Sequence, residues 1–311
     1  MVKPFRFGVQ CGGDHDRASW TQLAHKIEAL GYETLYVPDH FIDTQMAPMV
    51  AMAIAAETTK TLRVGALVFD NDYKHPAILA KEIATLDRLS AGRVELGIGA
   101  GWQKIDYDAL GLPYDAAGVR IDRLEEGLAV IKGAWGAGPF SFSGTHYEIT
   151  DYDGSPKPTQ LPHPPILVGG GGPRVLRLAG READIVGINP NLRAGEVTND
   201  AAADSVAEMV DKKVGWIREG AGARFDDLEL QIRYFFAAIT DDRQGLAAAA
   251  AANIGLEPEA VLEAGTTCIG TVEEIADQLV ARRERWGVSY VVIGADLFEG
   301  FAPVVERLAG T

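Results

Sequence analysis

Apolar and polar positions along the chain change period in a repeating order. Phe5–Gln10 alternates residue by residue, the period of a strand. Trp20, Leu23, Ile27 and Leu30 then recur at helical spacing until Gly31 ends the run. Thr34–Val37 reads as a short buried strand, Met49–Thr59 as an apolar helix, and Leu62–Phe69 as a strand rich in branched residues. His75-Pro76 opens the next helix, with proline suited to its first turn, and Ile83, Leu86 and Leu89 are expected on its buried face. Arg93–Ile98 is the fourth strand. From about Gly101 to Pro165 the regularity lapses into one helix, Arg120–Trp135, and a Gly/Pro/aromatic stretch that predicts a hairpin and a long loop. Strands resume at Ile166–Val168, Asp184–Ile188, Leu228–Ala238 and Val288–Ile293. Helices are expected at Arg174–Arg181, Asp204–Glu219, from the capping box Thr271/Glu274 to about Trp286, and at Phe301–Leu308. Eight strand–helix units in 311 residues predict an α/β fold, a (β/α)8 TIM barrel, over an open doubly wound sheet. The chain then reads as one domain, 1–311, with an insertion after strand four at about 101–165.

Composition narrows the partners. The formal net charge of −15 repels phosphodiester backbones, so no nucleic-acid partner is expected. No apolar run approaches a membrane span, and the N-terminus carries no secretory signal pattern. The two cysteines, Cys11 and Cys268, have no metal-ligand spacing and read as reduced thiols of a cytoplasmic protein.

In a barrel of this kind the chemistry belongs at the C-terminal ends of the strands. The pair Asp39-His40 follows the second strand. An imidazole can pass a proton during turnover while its neighbour bonds a ligand. From position alone an equally good reading has Asp39 capping a loop and His40 packing on Phe41. Gly169, Gly170, Gly171 and Gly172 follow the fifth strand and run into Pro173-Arg174. Glycines allow close approach of an anion, a helix N-terminus offers free N–H groups, and Arg174 adds charge; the alternative is a loop with only a steric purpose. Gly97-x-Gly99-Ala100-Gly101 is open enough to admit a flat ring, or is simply a tight exit into the insertion. Asp14-His15-Asp16 has the residue types of a metal site, but no strand carries an HxH pair, so no metal is expected.

Six segments taken together resemble the luciferase-like monooxygenase superfamily. They are Val37-x-Asp39-His40-Phe41, His75-Pro76-Ala77, Leu86-Asp87-Arg88-Leu89-Ser90-x-Gly92-Arg93, Leu96-Gly97-x-Gly99-Ala100-Gly101-Trp102, Pro164-Pro165-Ile166-Leu167-Val168-Gly169-Gly170 and Ala179-Gly180-x-x-Ala183-Asp184. The wording is closest to the deazaflavin-dependent oxidoreductases, which implies a hydride-transferring enzyme using coenzyme F420, or alternatively FMN, on a small organic substrate, and a homodimer. A non-catalytic flavin-binding barrel of the same family is the other alternative. The resemblance implies that Asp39 contacts the cofactor and that His40 acts beside the hydride-transfer centre. It further implies a non-prolyl cis peptide at Leu67-Val68 behind the ring, Ala100 and Gly101 near the cofactor, and the glycine run with Arg174 as a phosphate and side-chain site. Related sugar-phosphate dehydrogenases carry Glu and Asn where this chain has Trp102 and Ile105, which counts against a sugar-phosphate substrate. No acid partner of His40 is assigned.

Overall fold

The computed structural model describes residues 2–42, 45–196 and 200–311. Its thirteen strands are β1 Arg6–Gln10, β2 Thr34–Val37, β3 Arg63–Ala66, β4 Phe69–Asp70, β5 Val94–Gly99, β6 Phe140–Ser143, β7 Glu148–Tyr152, β8 Ile166–Gly170, β9 Ile185–Ile188, β10 Glu229–Tyr234, β11 Phe236–Ile239, β12 Thr267–Gly270 and β13 Val288–Gly294. The main sheet runs β3-β2-β1-β13-β10-β9-β8-β5-β4, and a further β3–β5 pairing closes it. Because β4 continues β3 past an interruption, the closed sheet is an eight-strand parallel barrel with helices outside.

Two apolar clusters show why the alternation closes in this way. One packs the strands' outer faces against the helices, from Val9 and Leu35 to Leu279 and Val305. The other fills the barrel interior with Tyr36, Leu67, Leu167, Ile185, Tyr290 and Val292. Period-two alternation sends successive side chains of each strand to these two sides. The N-terminal end of the interior is plugged by charge. Arg6 reaches Glu95 at 2.5 Å and Glu229 at 2.6 Å, and Arg63 reaches Glu95 at 2.8 Å. Burial alone would push the Glu95 carboxyl up; Arg6 and Arg63 outweigh it and hold the group at about 2.

Several sequence expectations need amending. Leu62–Phe69 is not one continuous strand, because the Leu67–Val68 peptide is cis and separates β3 from β4. Leu228–Ala238 breaks into β10 and β11 at Phe235. Leu89 is 79% exposed although Ile83 and Leu86 are buried. The residue that turns inward beside it is Asp87, whose carboxylate accepts Thr159 N at 2.7 Å, Gln160 N at 2.9 Å and Gln160 Nε2 at 2.6 Å. A helix end can bury a polar group in place of an apolar one when both carboxylate oxygens are hydrogen-bonded. Within the stretch read as an insertion, the helix Ala117–Trp135 packs against the helices Pro76–Leu89 and Pro173–Glu182, as a barrel helix does. The excess is a short helix, Lys104–Leu110, and the β6–β7 hairpin with its following loop. The helices Arg243–Ile254 and Pro258–Glu263 and the strand β12 were not foreseen.

Candidate active site

The second stave delivers the pair Asp39-His40 to the open end of the barrel. His40 Nδ1 lies 2.7 Å from Asp106 Oδ2, and the other oxygen of Asp106 accepts Phe41 N at 3.0 Å. Asp106 is fully buried in the first turn of the helix Lys104–Leu110. An ionised carboxylate can only accept, so the imidazole donates from Nδ1 and keeps Nε2 as the nitrogen with no partner among the described residues. The Trp102 ring meets the imidazole edge-on, with centroids 5.6 Å apart, and forms the apolar wall beside it.

Asp39 faces the same space. One of its oxygens accepts Asp70 N at 3.2 Å. Burial, opposed by that hydrogen bond and by the charge of His40, raises its carboxyl to about 6. Asp70 is raised further, to about 7, by burial and then by the charges of Asp72 and Asp39. Tyr107 Oη lies 2.8 Å from Asp70 Oδ2 and 3.0 Å from Asp72 Oδ2, so one hydroxyl proton serves two carboxyl groups. Glycine is obligatory beside them. Gly101 has φ +75°, and a Cβ there would stand 1.9 Å from the Tyr107 hydroxyl.

A carboxyl group with a folded-state value above its unfolded one stabilises the protein at low pH. That contribution is complete below the unfolded value of about 4 and is lost as pH rises through the folded values near 6 and 7. Asp70→Asn keeps the oxygen that accepts Asp72 N, at 2.9 Å in the native chain, and cannot ionise. The variant is expected to be about 4 kcal/mol more stable than the native chain at pH 8 but only about 1.5 kcal/mol more stable at pH 5. Denaturant unfolding at the two pH values checks this, and an equal effect at both would contradict it.

The floor of the mouth is glycine. Gln10 Nε2 donates to Leu67 O at 2.7 Å and fixes the interruption between β3 and β4. Val68, half-buried, stands between Gly99 and Gly169, whose missing side chains would lie 2.9 Å and 3.4 Å from its methyls. A side chain at position 99 would press on the Val68 methyl, and one at position 169 would touch it.

The family description of luciferase-like monooxygenases matches residues 1–257. The chain belongs to that family. Among its relatives, an FMNH(2)-dependent dimethylsulfone monooxygenase of Pseudomonas putida is 28% identical over 280 residues, 84% of this chain and 73% of that one. An F420-dependent glucose-6-phosphate dehydrogenase of Nakamurella multipartita is 29% identical over 303 residues, 92% of this chain and 84% of that one. A solved structure of the coenzyme F420 dependent tetrahydromethanopterin reductase of Methanopyrus kandleri superposes with a TM-score of 0.79 at 22% identity, over 99% of both chains.

In this luciferase-like chain the remaining site residues are placed as follows. Ala100 and Gly101 leave β5 beside Asp70, and Arg120 Nε donates to Ala100 O at 3.2 Å. Gly170 and Gly171 are required by packing, since side chains there would meet Val175 at 2.4 Å and Pro190 O at 2.4 Å. Gly172 is the N-cap of the helix Pro173–Glu182 and provides no side-chain cap, so the first-turn amides keep no side-chain acceptor. Arg174 does not stand free over that helix end. Its Nη1 donates to Gly118 O at 3.0 Å and its Nη2 pairs with Asp122, so its charge is already balanced. Asp16 caps the helix Arg17–Ala29 through Ser19 N at 2.8 Å, and His15 lies against Trp20. Burial pushes the Cys11 thiol up to about 11, which leaves it protonated and unreactive. Asp106 was missed by the sequence reading, although it lies only four residues beyond the noted Trp102.

Proposed function

We propose that the chain is an oxidoreductase that transfers a hydride between coenzyme F420 and a small organic substrate at the barrel mouth, with His40 moving the accompanying proton. The observation that carries this reading is the His40–Asp106 pair. It fixes one imidazole tautomer and leaves Nε2 available beside the Trp102 wall. The residues present fit a flat tricyclic group: a glycine floor at Gly99 and Gly169, apolar surfaces at Val68 and Trp102, and in Asp39 an oxygen with no partner among the described residues for a ring N–H or hydroxyl. When bound, the deazaflavin would supply a carbon that takes or gives two electrons as hydride. His40 Nε2 would hold or accept the substrate proton, Asp106 would stabilise the cationic imidazole, and Trp102 would exclude water from its edge. The unbonded first-turn amides after Gly172 suit the coenzyme's phosphate.

The FMN-dependent alternative is favoured by the dimethylsulfone monooxygenase relative, and the coenzyme F420 reading by the dehydrogenase relative that spans more of the chain. Titration of the purified protein with each coenzyme, followed by fluorescence, separates them. The expected result is binding of coenzyme F420 at roughly micromolar Kd and of reduced or oxidised FMN at least about tenfold more weakly. The reverse order would replace hydride transfer by oxygen chemistry, and no binding of either would overturn the reading.

A further inference from the structure

The seventh stave of the barrel ends on a charge that no described residue neutralises at contact distance. Alternation along β10 turns Glu229, Gln231 and Arg233 toward the barrel axis. Glu229 pairs with Arg6 at the closed end, and Gln231 faces Gly187 in the middle. Arg233 therefore emerges in the layer of the mouth. Its Nη2 lies 3.6 Å from where a Cβ on Gly294 would stand. Gly294 in turn is the strand partner of Gln10, which holds Leu67. The strand order places β10 across the barrel from β3 and β4. The carboxylates Asp39, Asp70, Asp72 and Asp106 all cluster on that far side. Cation and carboxylates thus face one another across the opening.

Arg233 Nε is buried and has no hydrogen-bond partner. No described residue gives its guanidinium an acceptor or an ion pair. Asp296 is the carboxylate whose charge it feels, and burial outweighs that field and lowers the group from its ordinary value. The Phe235 ring covers one face, 4.2 Å from Cζ, and leaves the in-plane N–H groups uncovered. The other cations inside the barrel are treated differently: Arg6 and Arg63 share Glu95. A buried, unpaired guanidinium is costly, and the cost is offset when a ligand brings an oxyanion to it. A planar fork with two parallel N–H groups matches a carboxylate or similar oxyanion bidentately.

We infer that Arg233 anchors an anionic group of the substrate, so that the substrate class is a small organic oxyanion held on the β10 side with its reacting carbon toward His40. The inference rests on the reading of the mouth as the active site, but not on which coenzyme binds there.

Isothermal titration of the native chain with benzoate, acetate and inorganic phosphate, and with neutral benzamide as control, tests it. At least one anion is expected to bind saturably while benzamide does not. Arg233→Met is expected to weaken that anion by about tenfold or more, and Arg233→Lys, which keeps charge but not the fork, by a few-fold. Coenzyme affinity is expected to be unchanged in both variants. If Arg233→Met fails to fold, Arg233→Lys carries the comparison. The inference is overturned if no anion binds the native chain, if both variants bind anions as the native chain does, or if they lose coenzyme affinity while keeping anion affinity. Should neither coenzyme bind while anions still depend on Arg233, the hydride-transfer reading fails and this one stands.

Discussion

His40→Ala is expected to lower turnover by about 10²- to 10⁴-fold with whichever coenzyme binds more tightly, while changing coenzyme affinity by no more than a few-fold. The proton-bearing nitrogen of this imidazole is set by a buried carboxylate, Asp106, and its other nitrogen has no partner among the described residues. Asp106→Asn separates the two contributions. The amide can still accept from Phe41 N, which native Asp106 holds at 3.0 Å, but it turns an N–H toward Nδ1 and so favours the wrong tautomer. A loss of about 10²-fold in turnover is expected, with unchanged coenzyme binding. The double variant should lose little more than His40→Ala alone, because Asp106 acts through the imidazole. Steady-state kinetics on the four proteins decides this; additive losses would show that Asp106 serves another purpose, and full activity in His40→Ala would remove the proposed proton carrier.

Gly97→Ala is expected to be the most damaging single-methyl change in the barrel. A Cβ at Gly97 would stand 1.9 Å from Ala66 O and 3.1 Å from Ala66 C, which are backbone atoms and cannot rotate away. Relief requires β3 and β5 to separate where they pair at Val64–Val94 and Gly65–Glu95. The shift would also move Val68, 3.4 Å from the same point, and with it the floor of the mouth. The expected loss is about 3 kcal/mol or more of stability, together with weaker coenzyme binding. Gly300→Ala is the control. Gly300 is helical with nothing within 4 Å of an added Cβ, so this change should be neutral or stabilising by about 0.5 kcal/mol. Thermal melts of the two variants check the pair; a Gly97→Ala protein that melts with the native chain would mean that β3 and β5 have slack.

The segments that made the family legible are largely structural, as their hydrogen bonds show. Asp87 pins residues 159 and 160. Arg93 donates to Ser90 O at 2.8 Å, Leu62 O at 2.8 Å and Ala56 O at 2.6 Å. Asp184 accepts Ile166 N at 2.9 Å at the start of β8. Each is a charged side chain satisfying backbone groups where a strand or helix begins or ends, a local requirement that leaves a local signature. The capping box at Thr271 and Glu274 is of the same kind, with both reciprocal bonds formed at 3.2 Å and 2.8 Å. By contrast, the helix Arg243–Ile254 is half alanine and carries too little contrast between its faces to announce itself by period.

From residue types and spacing alone came the succession of the eight barrel staves, the two-sided alternation that fills a barrel inside and out, and the placement of Asp39 and His40 at a strand end. All of these follow from periodicities that act over a few residues. The tertiary structure alone decided which of many carboxylates meets the imidazole, that Arg174 spends its charge on Asp122, and that Arg233 keeps its own. Those outcomes depend on closure of the sheet, which brings together side chains separated by 66 residues in one case and 52 in another. No local pattern encodes such a meeting, because its energy exists only once the intervening chain has folded around it.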